Sequence, residues 1–159
     1  MDNTIRAAQV LSMTSSIFLS GINIGASILT LPILYTRPTS VSTPFFNEYY
    51  NRGAVTLVPL GLFSASCSAV VAYLLPSQRT LWAVAGPATF AQVPWTALVM
   101  MKTVKRLNAI AASKDEQEKA SKQEVVALLQ QWTWMNIIRG GLAAFGGLTG
   151  VWAIIEGQK

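Results

Sequence analysis

Residues 125–155 read VVALLQQWTWMNIIRGGLAAFGGLTGVWAII, a run in which Arg139 is the only charged side chain. A helix needs about 20 predominantly apolar residues to cross a bilayer, so this run is long enough to span one. Working outward, three more stretches are free of Asp, Glu, Lys and Arg. They are 7–36, between Arg6 and Arg37; 53–78, between Arg52 and Arg79; and 80–101, which ends at Lys102. The spans fall near 8–33, 54–75, 80–101 and 133–155. The expected fold is all-α: an integral membrane four-helix bundle with short soluble loops, one transmembrane domain over 1–159. The first run exceeds the apolar core of about 7–15 residues found in a cleavable signal peptide, so it reads as a retained helix.

Composition agrees. The 159 residues are 52% hydrophobic and only 12% charged, against about 25% charged in ordinary soluble domains. Cys67 is the single cysteine, which rules out an intrachain disulfide and a cysteine-based zinc or iron–sulfur site. There is no histidine, which removes the usual haem, copper, zinc and facial-triad iron sites and every Ser-His or Cys-His triad. No metal and no cofactor are expected. The formal charge is +5, but the basic residues lie between apolar runs and not in an aromatic-interleaved stripe. The expected partner is the lipid bilayer, not nucleic acid. Arg37, Arg52, Lys102, Lys105, Arg106, Lys114, Lys119 and Lys122 fall in loops 34–53 and 102–124, against Arg6, Arg79 and Lys159 on the other side. That asymmetry assigns both loops to the cytoplasm and both termini outside it.

Pro76-Ser77-Gln78-Arg79 predicts a tight antiparallel turn between the second and third helices. No Gly or Pro occurs from Trp95 to Arg139, so helix three extends past the bilayer and helix four starts before it. Ser113 with Glu116, and Ser121 with Glu124, both fit a capping box that could open the last helix. Gly21/Gly25, Ser64/Ser68 and Gly146/Gly150 are small pairs four apart that let backbones approach in lipid. Such faces pack the bundle, or take a second copy or a pathway enzyme.

Two clusters carry candidate chemistry. At about 100° per residue, Trp132, Asn136, Arg139 and Ala143 share one helical face. Ionisable residues within a membrane usually serve function. The alternative is an arginine snorkelling to the interface between belt tryptophans. The second cluster is 45–53, where Glu48 and Arg52 have ion-pair spacing. Taken alone it reads first as a solvated interfacial turn with tyrosines at headgroup depth. Both clusters fall on one predicted membrane face, so Glu48 and Arg139 could meet across a cavity mouth. Asn23 and Gln92 are isolated mid-span polar residues suited to helix–helix hydrogen bonds. Pro94-Trp95-Thr96 predicts a kink in helix three. No phosphate loop, dinucleotide fingerprint or metal-ligand spacing occurs.

The segments 21–27, 47–53, Val93-Pro94-Trp95-Thr96 through Met101, and above all Trp132-x-x-Met135-Asn136-x-x-Arg139-Gly140 resemble the anthrone oxygenase family, small four-helix membrane proteins of fungal polyketide pathways. The resemblance covers nearly the whole chain in order. Thr103-Val104 departs from the Thr-Asn pair usual in the family, and no proline follows Arg139-Gly140. The resemblance implies a membrane-bound, multi-pass oxygenase of the endoplasmic reticulum or a related endomembrane. It would oxidise the central methylene of a polyketide anthrone to an anthraquinone, with dioxygen as co-substrate and an apolar aromatic molecule as substrate. Within that implied reaction, Arg139 and Asn136 are the candidate donors to developing negative charge. Glu48, the only acidic residue between Asp2 and Asp115, is the default base. Trp132, Trp95, Tyr49 and Tyr50 would hold the rings, and Asn23 joins the substrate-facing set. Two other readings stay open. One is a different tailoring enzyme on this scaffold, such as an oxidative cyclase or isomerase, which Val104 favours. The other is a non-catalytic tetraspan that binds a membrane partner.

Overall fold

The computed structural model describes residues 2–157; Lys159, counted in the charge asymmetry, lies outside them. Among the described residues there is no strand. The first rod is α1 (Asp2–Gly25), which runs through a π-helical turn (Ala26–Thr30) into α2 (Leu31–Tyr35). The second is α3 (Thr39–Leu74). The third is assembled from α4 (Arg79–Phe90), α5 (Gln92–Trp95), a π-turn (Thr96–Met100) and α6 (Met101–Ala112). After the short α7 (Lys114–Lys119) comes the fourth rod, α8 (Lys122–Glu156). Asn3–Tyr35, Thr39–Leu74 and Lys122–Glu156 are each long and apolar enough to cross a membrane by themselves. The third rod is the interrupted one. Its break at Ala91 precedes Pro94, whose ring and missing N–H disturb the turn before it. The protein is an all-α four-helix membrane bundle.

Both α1 and α4 pack beside α3 and α8, which places α3 and α8 across a diagonal. The bundle buries many polar side chains beside its apolar core and is greasy outside. Phe18, Leu29, Val55, Leu98, Phe145 and Leu148 are exposed, while Ser12, Ser16, Asn23, Ser64, Ser68, Thr89, Gln92 and Asn136 are buried. That inversion suits lipid, where apolar side chains gain little from burial and interior polar groups bond each other. Ser12 Oγ lies 2.6 Å from Ser68 Oγ, and Ser16 Oγ lies 2.6 Å from Thr89 Oγ1. Small residues permit the approach. A methyl at Gly146 would overlap Thr89 Oγ1 and come within 2.8 Å of Ala85 O. Of the three small pairs, Ser64/Ser68 and Gly146/Gly150 face the interior. Gly21 and Gly25 do not; a Cβ at either would meet nothing within 4 Å.

The turn after α3 is short as expected, a 3₁₀ turn at Pro76–Gln78. Both serines act as N-caps, the serine half of each capping box. Ser113 Oγ accepts from Glu116 N and Ser121 Oγ from Glu124 N, each at 3.1 Å, so Ser121 opens α8 and Ser113 opens α7. The segment 34–53, expected as a loop, is instead helical from Thr39 onward. Pro38, extended at ψ 150°, separates α2 from α3, and Glu48 pairs with Arg52 one turn later at 2.6 Å. The second rod therefore has 36 residues, about 54 Å at 1.5 Å per residue, well beyond a hydrocarbon core of about 30 Å.

Candidate active site

On α3, residues 46, 49, 50, 53, 54, 57, 58 and 61 follow helical spacing and turn to one side. From Tyr49 onward that stripe forms one wall of a cavity of about 60 Å³. The third rod supplies Thr89, Gln92, Val93 and Thr96, and α8 supplies Trp132 and Arg139. Its small residues, Gly53, Ala54 and Gly61, are what keep α3 from filling the space.

Around Trp132 the aromatic rings interlock. Phe46 meets it edge-on with centroids 5.3 Å apart, Tyr49 edge-on at 6.3 Å, and Tyr50 stacks on Phe46 at 6.2 Å. These are the favoured offset and T-shaped arrangements.

Arg139 reaches inward. Its Nη2 donates to Asn23 Oδ1 at 2.6 Å and its Nη1 to Thr96 Oγ1 at 3.3 Å. A snorkelling arginine would send its guanidinium to the interface; this one is tied to two interior side chains. Thr96 Oγ1 in turn donates to Gln92 O at 2.8 Å. Both π-turns border this network, one beginning three residues after Asn23 and the other at Thr96; such turns recur at functional sites. Among the described residues, the ion pairs are Arg52–Glu48, Arg106–Glu116 and Arg106–Glu124. None of these pairs involves Arg139, so among the described residues no carboxylate pairs with it. Arg139 Nε, Asn136 Oδ1 and Trp132 Nε1 are buried without a hydrogen-bond partner. Buried polar atoms are nearly always paired, and two of these three, on Arg139 and Trp132, belong to residues that line the cavity, where a ligand or water could meet them.

The structure thus brings together Arg139, Asn23, Trp132, Tyr49 and Tyr50. It places three other candidates elsewhere. Glu48 is 65% exposed at its side chain and bonded to Arg52. One residue is a 100° rotation, so with Tyr49 and Tyr50 turned inward Glu48 points out, and it does not meet Arg139. Asn136 is fully buried and clamps α1, donating to Asn23 O at 2.7 Å and Ser27 Oγ at 2.9 Å, off the cavity wall. Trp95 donates to Met135 O at 3.1 Å and packs against the apolar core, not the cavity. Thr89 carries no signal of its own in the sequence, while Phe46 belongs to the 45–53 cluster, Thr96 to the kink at Pro94-Trp95-Thr96 and Gln92 to the mid-span polar residues. The i, i+3, i+4 spacing of Phe46, Tyr49 and Tyr50, and the i, i+4 spacing of Gln92 and Thr96, were the available signals. Val104 is buried among Leu107, Val125 and Leu129 in the core, away from the cavity lining.

Fold and site define a membrane-embedded four-helix protein with an uncompensated cation set beside an aromatic-walled cleft. The chain belongs to the anthrone oxygenase family, whose model matches residues 46–149, three of the four rods. It is 28% identical over 152 residues to an anthrone oxygenase of Paecilomyces divaricatus, covering 91% of this chain and 93% of that protein. It is 28% identical over 160 residues to a noranthrone monooxygenase of Aspergillus flavus, covering 94% and 73%. An anthrone oxygenase of Claviceps purpurea is likewise 28% identical over 162 residues, covering 94% and 90%. No solved structure matches.

Proposed function

We propose that this protein is an oxygenase of polyketide metabolism that converts an anthrone-type carbon acid to the corresponding quinone with dioxygen. The observation that carries the reading is Arg139, a partly buried cation on the wall of an aromatic cleft that, among the described residues, pairs with no carboxylate. A site of that charge favours the anionic form of a bound ligand, and the anion of an anthrone is its enolate. Deprotonating the central methylene places negative charge on the carbonyl oxygen, where a fixed guanidinium donor acts strongly in a dry site. The carbanionic carbon then bonds to one oxygen atom of dioxygen, giving a peroxide. Loss of the second methylene proton with O–O cleavage leaves the new carbonyl, and the other oxygen atom departs as water. Carbon supplies the electrons, so the scheme requires no further reductant. Glu48 faces outward and pairs with Arg52, so it is not placed to accept the first proton. Tyr49, Tyr50 and Trp132 stack on the rings. Val104 lies in the core and is not among the cavity-lining residues, so it lends no weight to a different reaction.

The test uses membranes carrying the protein, incubated with anthrones under air. Quinone absorbance and oxygen uptake should rise well above the spontaneous rate, and Arg139→Ala should return both to that rate. Wild-type membranes no faster than empty ones would overturn the reading.

A further inference from the structure

Arginine can only donate hydrogen bonds, and that fixes the polarity of the groups behind Arg139. With Asn23 Oδ1 taken by Arg139, Asn23 must turn Nδ2 the other way, where it donates to Gln92 Oε1 at 3.1 Å. Gln92 must then present Nε2 on its free side. That nitrogen carries two hydrogens, and one of them goes to Thr89 O at 2.9 Å. Gln92 is 7% exposed and lines the cavity. Across from its amide lies Gly61, where even an added Cβ would stay 4.0 Å from Nε2. Among the described residues Nε2 makes no second hydrogen bond, so its other hydrogen is free for a ligand at the cavity wall that Gln92 lines.

We propose that Gln92 is a second substrate-contact residue. Its remaining Nε2–H, oriented by Arg139 through Asn23, binds an oxygen of the ligand beside the one Arg139 holds. The two donors are joined through one intervening amide, so they sit along one wall. The site thereby selects flat ring systems that carry more than one oxygen on a single edge. A carbonyl flanked by phenols fits: each phenol donates internally to the carbonyl and turns its lone pairs outward. Asn23 is the positioning residue of this pair. Its side chain faces both donors, and its backbone carbonyl is held by Asn136 and Ser27.

The proposal rests on the ring-binding reading above, and the experiment separates the two. Purified protein in detergent is titrated with 1,8-dihydroxyanthraquinone and with unsubstituted anthraquinone, following tryptophan quenching. The corresponding anthrones are tested for turnover in parallel. Wild type should prefer the dihydroxy ligand by about three- to tenfold, the range of one hydrogen bond. In Gln92→Met, and in Gln92→Glu, which keeps the shape but removes both N–H groups, the preference should fall close to one. A preference absent in wild type, or unchanged in both variants because the two ligands weaken equally or not at all, would overturn it. Discrimination in binding without turnover of either anthrone would overturn the oxygenase reading and leave the role of Gln92 supported.

Discussion

Replacing Arg139 with lysine separates charge from geometry at the centre of the site. The guanidinium holds Asn23 Oδ1 through Nη2 at 2.6 Å and Thr96 Oγ1 through Nη1 at 3.3 Å, with Nε buried and unpartnered. An ammonium group on a flexible stem can keep the bond to Asn23 and the positive charge. It cannot hold Asn23 and Thr96 and still present a fixed donor to the ligand. Removing one preorganised donor from a developing oxyanion costs roughly 2.7–4 kcal/mol in the barrier, which is on the order of a hundred- to a thousandfold in rate. Arg139→Lys should therefore insert, reach wild-type levels and elute as a single species in detergent, yet lose about that much turnover. The assay is quinone formation at matched membrane levels, corrected for the spontaneous rate. Near wild-type turnover would refute the reasoning, because it would mean that any buried cation suffices and that the fork plays no part.

Glu48→Gln should leave turnover within about twofold of wild type, since the carboxylate belongs to an exposed pair of small energetic weight; a large loss in the same assay would restore Glu48 as the base. Gly146→Ala should destabilise the bundle by about 1–3 kcal/mol, because its methyl meets the rigid backbone of α4. Gly21→Ala, with open space around it, should be neutral or slightly stabilising; thermal aggregation in detergent reads both. Cysteines introduced at Lys114 and Lys119 should label from the cytoplasmic side only, as the basic asymmetry requires. Labelling from the opposite side in sealed vesicles would invert the topology.

The sequence by itself determined the class of fold. Runs of apolar residues bounded by charge can be satisfied only by spanning helices, because lipid offers no partner to a free backbone amide. It also located the tight turn at Pro76, both capping serines and Arg139 as the one charge within its apolar run, since each rests on local spacing or on the cost of one side chain. What it could not supply was which faces meet. Helical periodicity shows that Trp132, Asn136 and Arg139 project to the same side of α8, but not that Asn136 would be spent clamping α1 while Arg139 reached past it to Asn23. Glu48 and Tyr49 are neighbours in the chain, yet the packing of α3 turned the tyrosine into the cleft and the carboxylate out of it. Gln92 and Asn23 stand 69 residues apart, and their amides acquire a defined direction only once both lie behind the same guanidinium. Those choices belong to the tertiary structure, because a hydrogen bond between helices depends on the rotation and depth of both rods, which no single stretch of sequence specifies.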